Sequence, residues 1–191
     1  MDLSSLLSRI TFSLVLGCML LTGCKKDTGS PPDEDNGDYY MKFTVGGVKK
    51  EYRKGQLFLI AYGSEDKLYT ALISAKKSDN SNGDLVAITI QDPKPFSAKT
   101  YYDKNKLTDA QGQSASEMIF VYDNDKALGY ASLGFVAGLP PYTNVTVDTR
   151  LTITQITSKY ARGTFSGTIY TADLTDKLFV SDGEFYLPVL P

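Results

Sequence analysis

The sequence predicts an all-β fold, and within that class an antiparallel β-sandwich of about ten short strands. From residue 39 onward apolar and polar residues alternate with a period of two, which is the pattern of strands that bury one face. These segments are bounded by Gly, Asn, Asp or Pro, and no window of eleven residues keeps a helical apolar stripe. Because short antiparallel strands also build barrels, a closed, lipocalin-like β-barrel is the alternative.

The first two strands are predicted to form a hairpin. Met41, Phe43 and Val45 alternate with polar residues, and Gly46-Gly47 then accepts the positive φ angles of a type I′ turn. Further strands are predicted at 56–62, 68–75, 84–91, 117–122, 128–136, 145–154, 163–170 and 178–187. Residues 103–113 are polar and are typical of a long loop.

The clearest alternation falls at 145–154, where Val147, Leu151 and Ile153 share one face. The predicted core consists of Phe43, Val147, Leu151, Ile153, Phe165 and Ile169. In the last strand, a hairpin turn at Asp182-Gly183 would join only very short arms. We therefore expect one strand with a bulge at Gly183, paired with the strand at 163–170.

Residue composition removes most catalytic chemistry. The 191 residues include no His, and the two Cys are Cys18 and Cys24. Without His there is no Ser-His-Asp or Cys-His nucleophile and no His-ligated metal. The formal net charge is −2 and the charges are interspersed, so no nucleic-acid partner is expected. The sequence therefore predicts no catalytic residue, no metal and no other cofactor.

The N-terminus carries the strongest targeting signal. Arg9 precedes an apolar run at 10–21, which at about a dozen residues is too short to span a bilayer as a helix and is typical of a signal peptide. Leu21-Thr22-Gly23-Cys24 follows and resembles the lipobox of bacterial lipoproteins, in which the Cys becomes the acylated N-terminus. The resemblance implies a signal peptide at 1–23 and a lipidated N-terminus at Cys24. The polar, acidic composition of the following residues predicts a flexible tether, so that 24–38 form the lipidated N-terminus and tether, and the alternating pattern predicts a single β domain at 39–191.

A second resemblance lies in the C-terminal third. Gly163-Thr164-Phe165-Ser166-Gly167-Thr168 and Asp182-Gly183-Glu184-Phe185 are similar to the closing strands of small lipoproteins of Bacteroidota that have no assigned activity. This resemblance implies a β-sandwich-like lipoprotein that is anchored in the bacterial outer membrane by its N-terminal lipid. Exposure on the periplasmic face and exposure at the cell surface both stay open, and no catalytic residue is carried over.

Loop tyrosines are the candidate ligand contacts. Tyr101, Tyr102 and Tyr142 fall in predicted loops, where an exposed ring stacks on a sugar or anchors a protein interface. The acidic loops at 78–84 and 123–125 lack the ligand spacing of a calcium-binding loop, so we expect solvated turns there.

Two function classes are open at this point. The first is a noncatalytic envelope lipoprotein whose domain binds a protein or glycan partner. The second is a barrel that encloses a small hydrophobic or glycan ligand, or hydrolyses a glycan with a carboxylate pair such as Asp182 and Glu184. A shallow polar surface favours the first class, whereas an apolar cavity with a few converging polar groups favours the second.

Overall fold

Strands account for the regular secondary structure of the described chain, which contains no helix. The computed structural model describes residues 38–53, 57–62, 68–77, 83–108, 114–132 and 145–190, which lie within one folded unit. The predicted signal peptide and all of the predicted tether except Asp38 fall outside the described residues, so these segment boundaries stay predictions. The predicted all-β class is confirmed.

Thirteen strands follow one another along the described part of the chain. In order they are β1 (Tyr40–Val45), β2 (Val48–Arg53), β3 (Leu57–Tyr62), β4 (Tyr69–Lys76), β5 (Leu85–Asp92), β6 (Thr100–Tyr102), β7 (Lys106–Thr108), β8 (Ser114–Ser116), β9 (Met118–Asp123), β10 (Gly129–Ala131), β11 (Arg150–Ile156), β12 (Tyr160–Tyr170) and β13 (Lys177–Leu190). Strands β3, β4, β5 and β9 begin within one residue of their predicted starts.

Eleven of these strands belong to one sheet, in the order β2-β1-β13-β3-β4-β5-β9-β10-β12-β11-β6, and β13 also pairs with β12. The pairings that run from β13 through β3, β4, β5, β9, β10 and β12 therefore return to β13, and the sheet curls back on itself as in a barrel. The pairs of this sheet are antiparallel except for β13 with β3. In the described residues, β7 and β8 form a separate two-stranded sheet.

The predicted hairpin joins β1 to β2. Gly46 and Gly47 have φ angles of 54° and 81°, as a type I′ turn requires, and Val45 pairs with Val48 across the turn. The hairpin therefore extends the sheet on one side of β13.

Val147 does not lie in the core, and its prediction is wrong. It is 37% exposed, because β11 begins only at Arg150 and the residues before it have left the strand ladder. In that segment the Asp148 side chain accepts a hydrogen bond from the Thr168 N–H at 2.8 Å. The Thr168 N–H of β12 is therefore bonded to a side chain instead of to the backbone of a neighbouring strand. Alternation directs a side chain inward only where a partner strand fixes the pleat.

The polar segment 103–113 contains a strand as well as loop residues. Strand β7 lies within it and pairs with β8, and the preceding β6, which the pattern did not reveal, pairs with β11. Strands β6, β7 and β8 have three residues each, which is too short for an alternating pattern to be visible in the sequence. The predicted strand at 128–136 is confirmed up to the end of β10, and residues 133–136 lie outside the described residues.

Aromatic rings fill the inside of the curled sheet. Phe43 packs against the rings of Tyr52, Tyr122 and Phe165, with ring centroids 6.0, 6.0 and 5.5 Å apart. The Phe165 ring in turn lies 5.7 Å from the Phe120 ring, and aliphatic side chains such as Ile73, Ile88 and Ile153 belong to the same buried cluster. Five predicted core residues are confirmed as buried: Phe43, Leu151, Ile153, Phe165 and Ile169.

Two glycines of β12 and β13 lie beneath phenylalanine rings. Gly163 pairs with Phe185, and Phe165 pairs with Gly183. A Cβ at Gly163 would lie 2.7 Å from the Phe185 ring, and a Cβ at Gly183 would lie 2.7 Å from the Phe165 ring. Any larger residue at either glycine would therefore displace a ring of the core.

Strand β13 is a single bulged strand as expected, but the bulge lies at Ser181 and Asp182 instead of Gly183, which pairs with Phe165. The register against β12 shifts by one residue, so that Ser181 and Asp182 together oppose Ser166. Asp182 takes the left-handed conformation, with a φ angle of 53°. Because the extra residue changes the alternation, Val180 and Gly183 are both buried.

Truncation of Phe165 tests the aromatic core. Phe165→Ala is expected to lower the free energy of unfolding by about 3–5 kcal/mol, because it leaves a cavity beside Phe43 and Phe120 and uncovers Gly183. Chemical denaturation followed by circular dichroism measures the change.

Phe179→Ala is the matched control, since Phe179 lies on neighbouring β13 but is 58% exposed. Its free energy of unfolding is expected to change by less than about 1 kcal/mol. Equal losses in the two variants would contradict the placement of Phe165 in the core.

Candidate functional site

The bulge directs two acidic side chains of β13 to the outside of the sheet. Asp182 and Glu184 flank the buried Gly183 and are exposed and partly exposed, respectively. The left-handed φ of Asp182 is strained for most residues, although Asp tolerates it better than most. Ser181 Oγ donates a hydrogen bond to Asp182 Oδ2 at 2.9 Å. Bulges and strained residues of this kind concentrate at binding and active sites, which makes this face the candidate site.

The outer face is built from rows of polar side chains that cross neighbouring strands. Directly paired residues point to the same side of a sheet. One row crosses β2, β1, β13, β12 and β11 at Glu51, Lys42, Glu184, Thr164 and Thr152. This side of the sheet therefore presents charges and hydroxyl groups to water.

Two open grooves lie on this face, one on each side of the bulge. The first has a volume of about 420 Å³, and its lining includes Arg150 and Phe179. The second has a volume of about 510 Å³, and its lining includes lysines of β1 and β2. Asp182 and Glu184 line both grooves, so the bulge forms their shared wall.

Charged and hydroxyl side chains alternate along these grooves. Lys42 Nζ lies 2.9 Å from Glu184 Oε2, and the hydrogen bond and charge of Glu184 raise the pKa of Lys42 above its usual value. Arg150 Nε donates to Ser166 Oγ at 3.2 Å, which is the only hydrogen bond of the Arg150 side chain within the described part of the chain. Arg150 is exposed, and the terminal nitrogens of its guanidinium group are hydrogen-bond donors.

The acid pair of the bulge suits binding better than hydrolysis. A carboxylic acid that donates a proton to a leaving group needs apolar surroundings that favour its neutral form. Asp182 faces water, and Glu184 is about half exposed and paired with Lys42. These carboxylates can accept hydrogen bonds from a ligand.

One of the predicted tyrosine contacts lies on the outer face, and another does not. Tyr102 is partly exposed and pairs with Arg150 across β6 and β11, so both side chains point outward. Tyr101 is fully buried, and the expectation of an exposed ring is wrong for it. Tyr142 and the lipidation residue Cys24 lie outside the described residues, and their roles stay predictions.

Tyr101 is buried with its hydroxyl hydrogen-bonded to Asp92, a carboxylate that Lys99 also contacts. Its hydroxyl donates to Asp92 Oδ2 at 3.2 Å, and Lys99 Nζ lies 2.5 Å from the same oxygen. Lys99 Nζ also lies 3.7 Å from Glu117 Oε1 and 4.6 Å from the centre of the Tyr101 ring. Burial and the charge of Asp92 raise the pKa of Tyr101 above its usual value. With its groups paired to one another, this cluster is structural.

Two acidic loops meet at Lys50 of β2. Lys50 Nζ lies 3.1 Å from Asp84 Oδ1 and 2.7 Å from Asp125 Oδ1, and the Tyr52 hydroxyl donates to Asp84 at 2.8 Å. Burial of Lys50 acts to lower its pKa, but the two carboxylates outweigh burial and raise it. The expected solvated turn is wrong at Asp84, which is buried and ties β2 to the turn before β5.

Asp103 is buried in the turn after β6. Neither of its carboxylate oxygens has a hydrogen-bond partner among the described residues, although its N–H donates to Thr149 O at 3.2 Å. Burial raises the pKa of Asp103 to about 6, against the lowering effect of polar groups of Thr149 and Lys104, and the charge of nearby Asp148 also raises it. At neutral pH the fold therefore holds an ionised carboxylate that burial disfavours.

Sequence periodicity missed Phe179 and Arg150 as residues of this face. A bulge in β13 is compatible with either Phe179 or Val180 pointing inward, and the structure buries Val180. Inward positions recur every second residue back from Phe185, and the bulge adds one extra residue to this count. Val180 is then inward and Phe179 outward, as the structure shows. Arg150 had no such signal, because its role depends on β12 lying beside β11.

No family model, curated protein or solved structure matches the chain. Over the residues that the structure describes, no helix is long and apolar enough to cross a membrane. Within the same residues, no group of three or more His, Cys, Asp or Glu side chains is placed to hold a metal ion.

Replacement of Asp103 tests the buried carboxylate. Its pKa of about 6 exceeds the ~3.9 of an unfolded Asp, so the folded state binds the proton more tightly and stability falls as pH rises from ~4 through 6. Asp103→Asn removes the buried charge and is expected to raise the free energy of unfolding by about 2–3 kcal/mol at pH 7.5. That gain should shrink toward zero near pH 4, as measured by denaturation across this pH range.

Asp182→Asn is the matched control, because Asp182 is exposed and Asn tolerates its left-handed conformation. We expect no comparable gain in stability for this variant. A gain for Asp103→Asn that is the same at pH 4 and pH 7.5 would contradict the buried-charge explanation.

Proposed function

We propose that this protein is a noncatalytic lipoprotein of the bacterial outer membrane, whose β domain binds a protein or glycan partner through the outer face of β2, β1, β13, β12 and β11. The lipid on Cys24 would hold the domain at the membrane. The observation that carries the proposal is the contrast between a core filled with side chains and two open polar grooves at the bulge.

The filled core favours this class over a barrel that encloses its ligand. An enclosing barrel keeps its apolar lining residues apart around a cavity. Here Phe43, Phe120 and Phe165 come from three strands and pack with ring centroids 5.5 and 5.7 Å apart. The curled sheet has the pairing circuit of a barrel, but these rings occupy its centre.

A noncatalytic role is supported by both composition and geometry. The chain contains no His, and its only Cys residues are Cys18 and Cys24. The carboxylates of the outer face meet water or a lysine, whereas a general acid needs an apolar pocket. Binding requires only the hydrogen-bonding groups that are present.

Analysis of the mature N-terminus tests the lipoprotein assignment. The full chain is expressed in a Gram-negative bacterium, and its N-terminal peptide is analysed by mass spectrometry. We expect the mature chain to begin at an acylated Cys24 and to partition into detergent. Cys24→Ser is expected to leave the signal peptide attached or to release an unanchored product, because only the thiol can take the thioether-linked lipid.

Cys18→Ser is the matched control, because Cys18 lies within the segment that cleavage removes. Processing and acylation of this variant should match the wild type. Wild-type protein that is cleaved elsewhere and is soluble without detergent would overturn the lipoprotein assignment.

A further inference from the structure

We propose that the two grooves at the bulge bind a neutral oligosaccharide, which crosses β13 over Asp182 and Glu184 with one sugar ring stacked on Phe179. The inference rests on the proposed binding role of the domain and names its ligand class. It is carried by the position of one exposed ring, by the unused hydrogen-bonding groups around it, and by the charge and shape of the grooves.

Phe179 provides an exposed apolar platform in a groove whose lining residues are mostly polar. Its side chain is 58% exposed and lines the first groove together with Arg150, Ser166 and Asp182. A pyranose ring presents C–H bonds on one face, and these are attracted to the electron-rich face of an aromatic ring. Single exposed apolar residues are common on protein surfaces. Phe179 differs because guanidinium, hydroxyl and carboxylate groups share its concavity.

The acidic residues of the shared wall have unused acceptor atoms. Within the described chain, Asp182 Oδ2 accepts from Ser181 Oγ, and Glu184 Oε2 pairs with Lys42. The other oxygen of each carboxylate is therefore open to a ligand, and each ionised oxygen accepts up to two hydrogen bonds. Hydroxyl groups of a sugar are suitable donors, and hydrogen bonds to a charged acceptor are stronger than neutral ones.

The charge of the shared wall favours a neutral ligand. A ligand that passes from one groove to the other crosses Asp182 and Glu184. A phosphate or uronate group would meet two like charges there, and like-charge contact costs affinity. Arg150 lies in the first groove, and of the lysines that line the second, Lys42 is paired with Glu184 and Lys50 with Asp84 and Asp125, so much of the positive charge is already matched. A neutral sugar avoids the repulsion and still uses the acceptors.

The shape of the grooves fits an extended ligand. Their volumes of about 420 and 510 Å³ fall in the range of about 300–1,000 Å³ that small-ligand sites occupy. Both grooves are open to solvent and share one wall, so a linear chain can run through both. A protein interface typically buries several large apolar side chains, whereas Phe179 is the one exposed large hydrophobic side chain of the described residues that lines these grooves.

The test uses the full lipidated chain in micelles of a polyethylene-oxide detergent, because a detergent with a sugar headgroup would compete for the site. The probes are neutral linear oligosaccharides of about three to six units, with gluco, manno, galacto and xylo backbones in both α and β linkage. Uronate-containing oligosaccharides of matched length serve as the charge control. We expect at least one neutral probe to bind in isothermal titration calorimetry and to bind more tightly than its uronate counterpart.

Variants locate the site. Phe179→Ala and Asp182→Asn are each expected to weaken binding of that neutral probe by about tenfold, through loss of stacking and of a charged acceptor. Asp182→Asn keeps the backbone, because Asn tolerates the left-handed φ. Leu128→Ala is the control, since Leu128 is 47% exposed and does not line either groove. We expect it to bind like the wild type.

Each other outcome overturns the inference. If folded wild-type protein binds none of the neutral probes at millimolar concentration, the ligand class is wrong, even where a protein partner is found. If Phe179→Ala and Asp182→Asn bind as tightly as the wild type, the site is wrong. If the uronate probes bind more tightly, the charge argument is wrong. The proposed function fails separately, through the absence of acylation at Cys24, so the two failures are distinguishable.

Discussion

Reciprocal packing of two phenylalanine rings over two glycines fixes the pairing of β12 with β13, on which the rest of the sheet depends. Phe165 covers Gly183, and Phe185 covers Gly163. A two-residue slip of either strand would move both rings away from the glycines and onto side chains that leave no room for them. Because β13 also pairs with β1 and β3, and β12 with β10 and β11, this one register positions strands on both sides.

The bulge follows from the same constraint and connects the core to the outer face. Val180 and Phe185 are both buried, yet five positions separate them, so strict alternation would send one of them outward. One extra residue restores the inward direction, and Ser181 and Asp182 absorb it against Ser166. The bulge that lets both Val180 and Phe185 point into the core therefore also places Asp182 and Glu184 between the two grooves.

Local sequence patterns predicted local structure, and distant contacts decided the rest. Gly46-Gly47 marked the turn, and the short arms around Asp182-Gly183 indicated a bulged single strand, although the bulge lies one residue before Gly183, because φ preferences and arm lengths are properties of the segment itself. The predictions for Tyr101 and Val147 were wrong for opposite reasons. Tyr101 is buried with its hydroxyl bonded to Asp92 of β5, whereas Val147 is exposed because it precedes the paired residues of β11. The grooves were beyond prediction, because they require β11 and β2 to lie on either side of β13, and periodicity does not encode strand order.

Asp182 carries a carboxylate that the bulge itself does not require. The bulge needs only a residue that tolerates a left-handed φ, and glycine would adopt it with the least strain. The exposed ion pair between Lys42 and Glu184 contributes little to stability, as surface pairs generally do. Neither the strain at Asp182 nor the charges beside it are explained by folding alone. A carboxylate at the shared wall of two open grooves is what the proposed recognition of a ligand that donates hydrogen bonds requires.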